Sequence, residues 1–340
     1  MALPIVGSLK DCCSFEQTVT RYTSQLYEFP SHVINTWHSP ASLGNLYLAT
    51  NPFIGGLIFS LFVAFALYLV SEVNGNVSLI DQSWSILPSI YNIHYVTYAR
   101  LSGLNTKRLE VLVFVSVIWS IRLTYNFYRK GGYSKGSEDY RWDILRKMIS
   151  PSLFVVFNII FISLIQSLLL FLITAPTYLM LLVTPFTESI TVADYVFASV
   201  LLALIVYEYI ADQQQWHYQV AKKIYNETAR VTREYTQQDL ERGFVVTGLW
   251  SKSRHPNFLA EQAIWVVFYV WGSWTSHKYI NWSSVGVISY LILFQGSTSF
   301  TEKITAAKYR EYKEYQKSVR KFIPNFSSTY YGHALKEKDP

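Results

Sequence analysis

Phe53-Ile54-Gly55-Gly56-Leu57-Ile58-Phe59-Ser60-Leu61-Phe62-Val63-Ala64-Phe65-Ala66-Leu67-Tyr68-Leu69-Val70 is an unbroken apolar run without a charged residue. About 20 such residues make one helical crossing of a bilayer. A membrane β-strand would instead read as roughly ten residues of alternating character, so the run is predicted to be helix. Similar stretches follow at 79–98, 111–128, 152–174, 192–211, 258–274 and 284–300. The composition agrees, with 51% hydrophobic and only 15% charged residues and a mean hydropathy of +0.17. The expected fold is therefore all-α: a polytopic membrane protein of about seven transmembrane helices in one bundle.

Residues 1–52 carry Pro4, Pro30, Pro40 and Pro52 and no sustained period, which predicts a loose or interfacial, non-cytosolic region. No basic segment followed by a cleavable apolar stretch opens it, so the first span is expected to act as an uncleaved signal. The transmembrane domain is expected over 53–325 and a tail over 326–340. Cys12 and Cys13 are adjacent and can neither close a loop nor frame a metal site, so no metal is expected.

Lys and Arg concentrate in 129–151, in 212–257 and after residue 300, whereas 175–191 and 275–283 hold only Lys278. The positive-inside rule puts the basic segments and the C-terminus in the cytosol. Arg100, Lys107 and Arg108 break that pattern. Topology accounts for the net charge of +6, so no nucleic-acid partner is expected.

Polar groups inside or beside apolar runs mark candidate sites. In Arg254-His255-Pro256-Asn257, Pro256 suits a first helical turn, which puts Arg254 and His255 beside a positive helix end suited to an anion. Asn257 and Glu261, four apart, share a face one turn further in. Arg122, Asn126 and Arg129 likewise fall on one face by their spacing, and arginine forks match phosphates. Asp81 lies in the second stretch, where it either pairs with a basic residue such as Arg122 or lines a cavity as a proton donor. Tyr309, Tyr312 and Tyr315 recur among lysines and arginines over 305–322, predicting either an interfacial basic helix or a lid over a phosphate-bearing cofactor.

Three elements together resemble the steroid 5α-reductase superfamily, in particular its uncharacterised branch of membrane proteins carrying a domain of unknown function. They are Gly248-Leu249-Trp250 through Arg254-His255-Pro256-Asn257-Phe258 to Glu261; Trp119-Ser120-Ile121-Arg122-Leu123 with Lys135-Gly136-Ser137-Glu138-Asp139-Tyr140-Arg141; and Tyr315 to Pro324. The resemblance covers roughly residues 79 to 325. It departs at Phe258 for Tyr, at Ala260 for Gly, and at Gln219, where a basic residue is expected and for which Lys222 is the nearest substitute.

The resemblance implies a bundle that binds NADPH and reduces the enone double bond of a lipophilic, steroid-, sterol- or fatty-acyl-like substrate. It implies that Asn257 and Glu261 lie at the nicotinamide end, that Arg254 and His255 hold phosphate or ribose, and that Asp212 assists. Arg122, Asn126, Arg129 and Tyr315 complete the expected cofactor set. Asp81 and Tyr91 are the candidate acids by location. The implied setting is the endoplasmic reticulum membrane, with membrane lipid and the substrate as partners and no protein partner. Membrane methyltransferases that use S-adenosylmethionine share a similar Arg-His-Pro helix start, and a degenerate lipid-binding or scaffold protein is the non-enzymatic alternative.

Overall fold

The computed structural model describes residues 2–187 and 190–326. Among them the ordered elements are all helical. The N-terminal region is more ordered than its sequence predicts, forming α1 (Phe15–Thr18), α2 (Ser24–Thr36) and α3 (Pro40–Ala49). Long-range hydrogen bonds fix it. Cys12 Sγ donates to the Leu182 carbonyl at 3.4 Å, and Asn51 Nδ2 donates to the Thr18 carbonyl at 3.2 Å and to Tyr178 Oη at 3.1 Å.

Asn51 also starts the first span, α4 (Pro52–Asn74): its side chain accepts from the Phe53 and Ile54 amides, and Gly75 at φ 65° ends the helix. The stretch 79–98 is not one span but two helices, α5 (Leu79–Trp84) and α6 (Leu87–Leu101). Pro88 stands at the start of α6, where its missing N–H is harmless but continuation from α5 is disfavoured. Next come α7 (Lys107–Arg129), α8 (Tyr140–Met148), and a long segment in which α9 (Pro151–Phe157) passes through a π-helical stretch, Asn158–Ile165, into α10 (Gln166–Leu172). Then α11 (Ala175–Val183), α12 (Val192–Thr228), α13 (Gln237–Arg242), α14 (Pro256–Thr275), α15 (Ser284–Lys308) and α16 (Tyr312–Ser318) complete the described chain.

Among the described residues, four helical stretches are long and apolar enough to cross a membrane: Pro52–Asn74, Lys107–Arg129, Pro151–Val183 and Val192–Thr228. The remaining expected spans are helical but do not raise the count to seven. One is broken at residues 85–86, and α14 and α15 are interrupted by polar positions such as Asn257, Glu261 and Gln262 in one and Gln295, Ser297 and Glu302 in the other.

The chain divides into two compact units, the first running through Leu201 with Trp265–Tyr290 added, the second comprising Leu202–Ile264 and the residues from Leu291 on. In the first, polar groups among apolar helices find one another, as an interior without water requires. Asn92 donates to Ser116 Oγ at 3.0 Å and accepts from Thr177 at 2.7 Å. Asn158, at the start of the π stretch, donates to Ser71 Oγ at 2.9 Å and Glu72 Oε1 at 2.8 Å. Backbone meets backbone closely at Gly286, where an added Cβ would fall 2.2 Å from the Leu172 carbonyl oxygen. Backbone cannot swing aside as a side chain can. Gly286→Ala is expected to lower stability by roughly 3 kcal/mol, read as a fall in the thermal unfolding midpoint, whereas Gly296→Ala, which meets nothing within 4 Å, should not lower it.

Candidate functional site

The second unit gathers the Gly248–Glu261 element. Gly248 adopts φ 61°, and the Gln214 side chain lies 2.6 Å from where its Cβ would stand, so only glycine fits. Gln214 Oε1 accepts from the Leu249 amide at 2.9 Å, and Trp250 Nε1 donates to the Ala211 carbonyl at 3.1 Å. The motif is thereby fastened to the middle of α12 before α14 begins.

Arg254 is buried and turned onto the chain's own acceptors. Its Nε and Nη2 donate to the two carboxylate oxygens of Glu302 at 2.6 and 3.1 Å, and its Nη1 donates to the carbonyls of Gln316, at 3.1 Å, and Val319. His255 Nε2 lies 2.9 Å from Glu302 Oε1. Tyr312 Oη and Gln316 Nε2 donate to the same carboxylate at 3.2 and 3.0 Å. The backbone completes the arrangement, the Arg254 and His255 amides donating to the Arg320 and Lys321 carbonyls at 2.9 and 3.1 Å. Arg254 and His255 thus clasp the C-terminal segment, with Glu302 as the shared acceptor.

Burial alone would raise the Glu302 carboxyl, but hydrogen bonds from His255 and Arg254 hold it well below the usual carboxylate range. Burial pushes His255 below its ordinary value of 6.5, against the opposing pull of Glu302.

The C-terminal segment is not the single basic helix expected over 305–322. Helix α15 ends at Lys308, and α16 tucks Tyr312 and Tyr315 against Phe244, Val246 and Val319. Tyr315 Oη donates to the Trp250 carbonyl, so this expected cofactor residue is an internal strut. Lys222, the nearest substitute for a base at position 219, donates to the Gly243 carbonyl at 2.8 Å and to Tyr309 Oη at 3.2 Å.

Two of the predicted site residues are brought together here: Asn257 Nδ2 donates to buried Asp212 at 3.2 Å. The other Asn257 amide atom, Oδ1, is shut off from solvent without a hydrogen-bond partner among the described residues. Glu261 is buried one turn further along α14, and Phe258 stacks on His255 with ring centres 5.4 Å apart.

The remaining candidates belong to the first unit. Arg122 and Asn126 are buried in α7, and Asn126 Oδ1 accepts from Arg129 Nε and Nη2 at 3.0 and 2.8 Å. Asp81 accepts from Trp142 Nε1 at 2.9 Å and lies 4.0 Å from Arg141. The partners are thus two residues of α8 and not Arg122, the base named for it from the sequence. Tyr91 is buried against Phe171 and Phe59, and its hydroxyl has no hydrogen-bond partner among the described residues.

Glu302 is the residue that sequence reasoning missed. Its signal was present: a lone acid just beyond an apolar run, followed by a basic tail, has to find a cation. The described residues contain no cluster of three metal-ligating side chains.

An uncharacterised protein of Schizosaccharomyces pombe is 36% identical over 331 residues, covering 97% of this chain and 95% of its own length. No solved structure matches. The family described as a protein of unknown function, DUF1295, matches residues 67–319, a range that holds Arg254, His255, Glu302 and the Val319 carbonyl that Arg254 reaches. The chain belongs to the DUF1295 family.

Proposed function

We propose that the protein is a membrane-embedded reductase of the endoplasmic reticulum that uses NADPH to reduce the conjugated double bond of a lipophilic, steroid-, sterol- or fatty-acyl-like substrate. The observation that carries this reading is Asn257, whose buried Oδ1 lacks a partner while its Nδ2 is held by Asp212. A protein seldom leaves a buried amide oxygen unsatisfied, because doing so costs about 1–3 kcal/mol. A ligand amide that donates there would remove that cost. The nicotinamide carboxamide is such a donor, and the resemblance to steroid 5α-reductases implies the same end of the cofactor for Asn257 and Glu261.

The phosphate end fits less well. Arg254 and His255 direct their side chains at Glu302 and the C-terminal segment, so their part in this reading is to hold that segment in place. When bound, NADPH supplies the hydride. Asp212 holds the Asn257 amide by its nitrogen, which leaves the oxygen as the acceptor. Tyr91, in the first unit, keeps a hydroxyl proton in an apolar setting, the character of a proton-donating acid.

Detergent-purified protein is expected to bind NADPH saturably, and Asn257→Ala to weaken binding about tenfold, the equivalent of one hydrogen bond. Saturable binding of S-adenosylmethionine in place of NADPH would transfer the site to a methyltransferase. Binding of neither would leave the lipid-binding or scaffold alternative.

A further inference from the structure

Thr232 Oγ1, like Asn257 Oδ1 and the Tyr91 hydroxyl, is a buried polar atom without a hydrogen-bond partner among the described residues. It lines a cleft of about 280 Å³ in the second unit, between one side of α12, with Trp216, His217 and Val220, and the loop residues Thr232, Arg233 and Glu234. One lining residue, Ala221, belongs to the buried cluster of Tyr218, Leu240, Val245 and Trp250, which anchors that side of the cleft to a packed core. Arg233 is exposed and forms no hydrogen bond or ion pair with the described residues.

These groups offer a particular combination of chemistry. An indole provides a face on which a purine can stack. A carboxylate at Glu234 accepts from an exocyclic amine. The Arg233 guanidinium and His217 suit a phosphate, and Thr232 Oγ1 suits a ribose or phosphate oxygen. Size also discriminates. Sites for whole ligands run to roughly 300–1,000 Å³, so this cleft accommodates one end of a dinucleotide rather than all of it.

Position supplies the second argument. Trp216 lies four residues beyond Asp212 on α12 and Val220 four beyond that, a line that drifts from buried Asp212 to exposed Val220. At 1.5 Å per residue the cleft begins about 6 Å along the helix axis from Asp212 and extends beyond about 12 Å. A cofactor with one ring at Asp212 and Asn257 would follow α12 to reach an adenosine in the cleft. With Arg254 and His255 turned onto Glu302, Arg233 is a cation on this side of the second unit that has no acceptor of its own.

From the cleft, its unpartnered hydroxyl and its place on α12, we infer that Trp216, Thr232, Arg233 and Glu234 form the subsite for the adenosine end of an adenosine-bearing cofactor. The identity of that cofactor as NADPH rests on the reading in the preceding subsection. Recognition of adenosine itself does not, because S-adenosylmethionine carries the same group.

The test uses the full chain in detergent and follows binding by calorimetry, with adenosine 2′,5′-bisphosphate as the probe. The probe is expected to bind and to displace NADPH. Trp216→Ala and Arg233→Gln should each weaken it about tenfold, Trp216→Phe should retain binding through stacking, and Asn257→Ala, at the other end, should leave it unchanged. Arg233→Gln should weaken NADPH about tenfold and leave NADH unaffected. NADPH binding at wild-type affinity in Trp216→Ala, Thr232→Ala and Arg233→Gln would overturn the subsite and leave the reductase reading standing. Cleft-dependent binding of the probe without NADPH binding would uphold the subsite and remove the reductase reading. Binding of S-adenosylmethionine that depends on Trp216 and not on Arg233 would uphold it with a methyl donor as the cofactor. Failure of every adenosine-bearing ligand to bind would overturn both.

Discussion

Glu302→Ala is expected to destabilise the second unit by roughly 3–5 kcal/mol, the range for breaking a buried ion pair from one side. The mechanism is the stranding of Arg254. With the carboxylate gone, Nε and Nη2 lose the acceptors they have among the described residues in a nearly solvent-free setting, and Tyr312 and Gln316 lose theirs as well. Glu302→Gln retains one carbonyl acceptor and should cost less. Two measurements check this: the thermal unfolding midpoint, and limited trypsinolysis, because release of α16 exposes Lys313, Lys317, Arg320 and Lys321 to cleavage. Unchanged protection in Glu302→Ala would show that the segment is held by the Phe244 and Tyr315 contacts alone.

The same clasp predicts a direction for pH. Glu302 has a folded pKa below its ordinary 4.5, so its contribution is complete above that value and fades as pH falls through the lower, folded value. His255 lies below its ordinary 6.5, so acidification below 6.5 protonates the unfolded chain first and again favours unfolding. Both effects have the same sign. Protease protection of the C-terminal segment should fall from about pH 6.5 downward in the wild type, and the upper part of that fall should flatten in His255→Gln.

The second large effect is expected in the first unit. Asp194 accepts from Arg108 Nε and Nη2 at 2.9 and 3.2 Å, from Trp271 Nε1 at 2.8 Å, and from the Thr191 amide and hydroxyl at 2.7 and 3.0 Å. The carboxylate is almost fully enclosed, its side chain 1% exposed and that of Arg108 10%. Asp194→Ala leaves a buried guanidinium and several donors without their acceptor, and should lower stability by roughly 3–5 kcal/mol. Replacing both partners by apolar residues of similar size should cost less than either single change, since no charge is then stranded. A double-mutant cycle on thermal midpoints reads the difference, and additive losses would refute the pairing as the cause.

Arg108 also shows why part of the sequence reading needed the structure. The cluster of Arg100, Lys107 and Arg108 broke the charge asymmetry of the loops because counting cations ignores their partners. Arg108 is neutralised by an acid 86 residues away and Arg100 by Glu110 at 2.7 Å. The all-α character and the position of each long helix were legible in apolar period and length alone. The N-terminal helices were not, since Asn51 and Cys12 are ordered by acceptors on distant parts of the chain. Of the candidate site, the Pro256 helix start could be foreseen, whereas the hydrogen bond between Asp212 and Asn257, 45 residues apart, could not. The destination of Arg254 could not: a motif gives the spacing of a guanidinium and leaves open which acceptor it meets.

The π-helical stretch Asn158–Ile165 has a consequence for how this chain can vary. A helix closed by wider rings takes about one residue more per turn, so the segment from Pro151 to Leu172 accommodates a residue that ordinary α-helix over the same path would not. Loss of one residue from the stretch would return it to ordinary α-helix and leave the faces on either side close to where they stand. Gln166, Leu169 and Leu170 would keep the inner face, and the Leu172 carbonyl would still meet Gly286. The stretch is therefore the place in this span where length can change, and family members are expected to lose a residue within 158–165 more readily than in the α-helical turns that flank it.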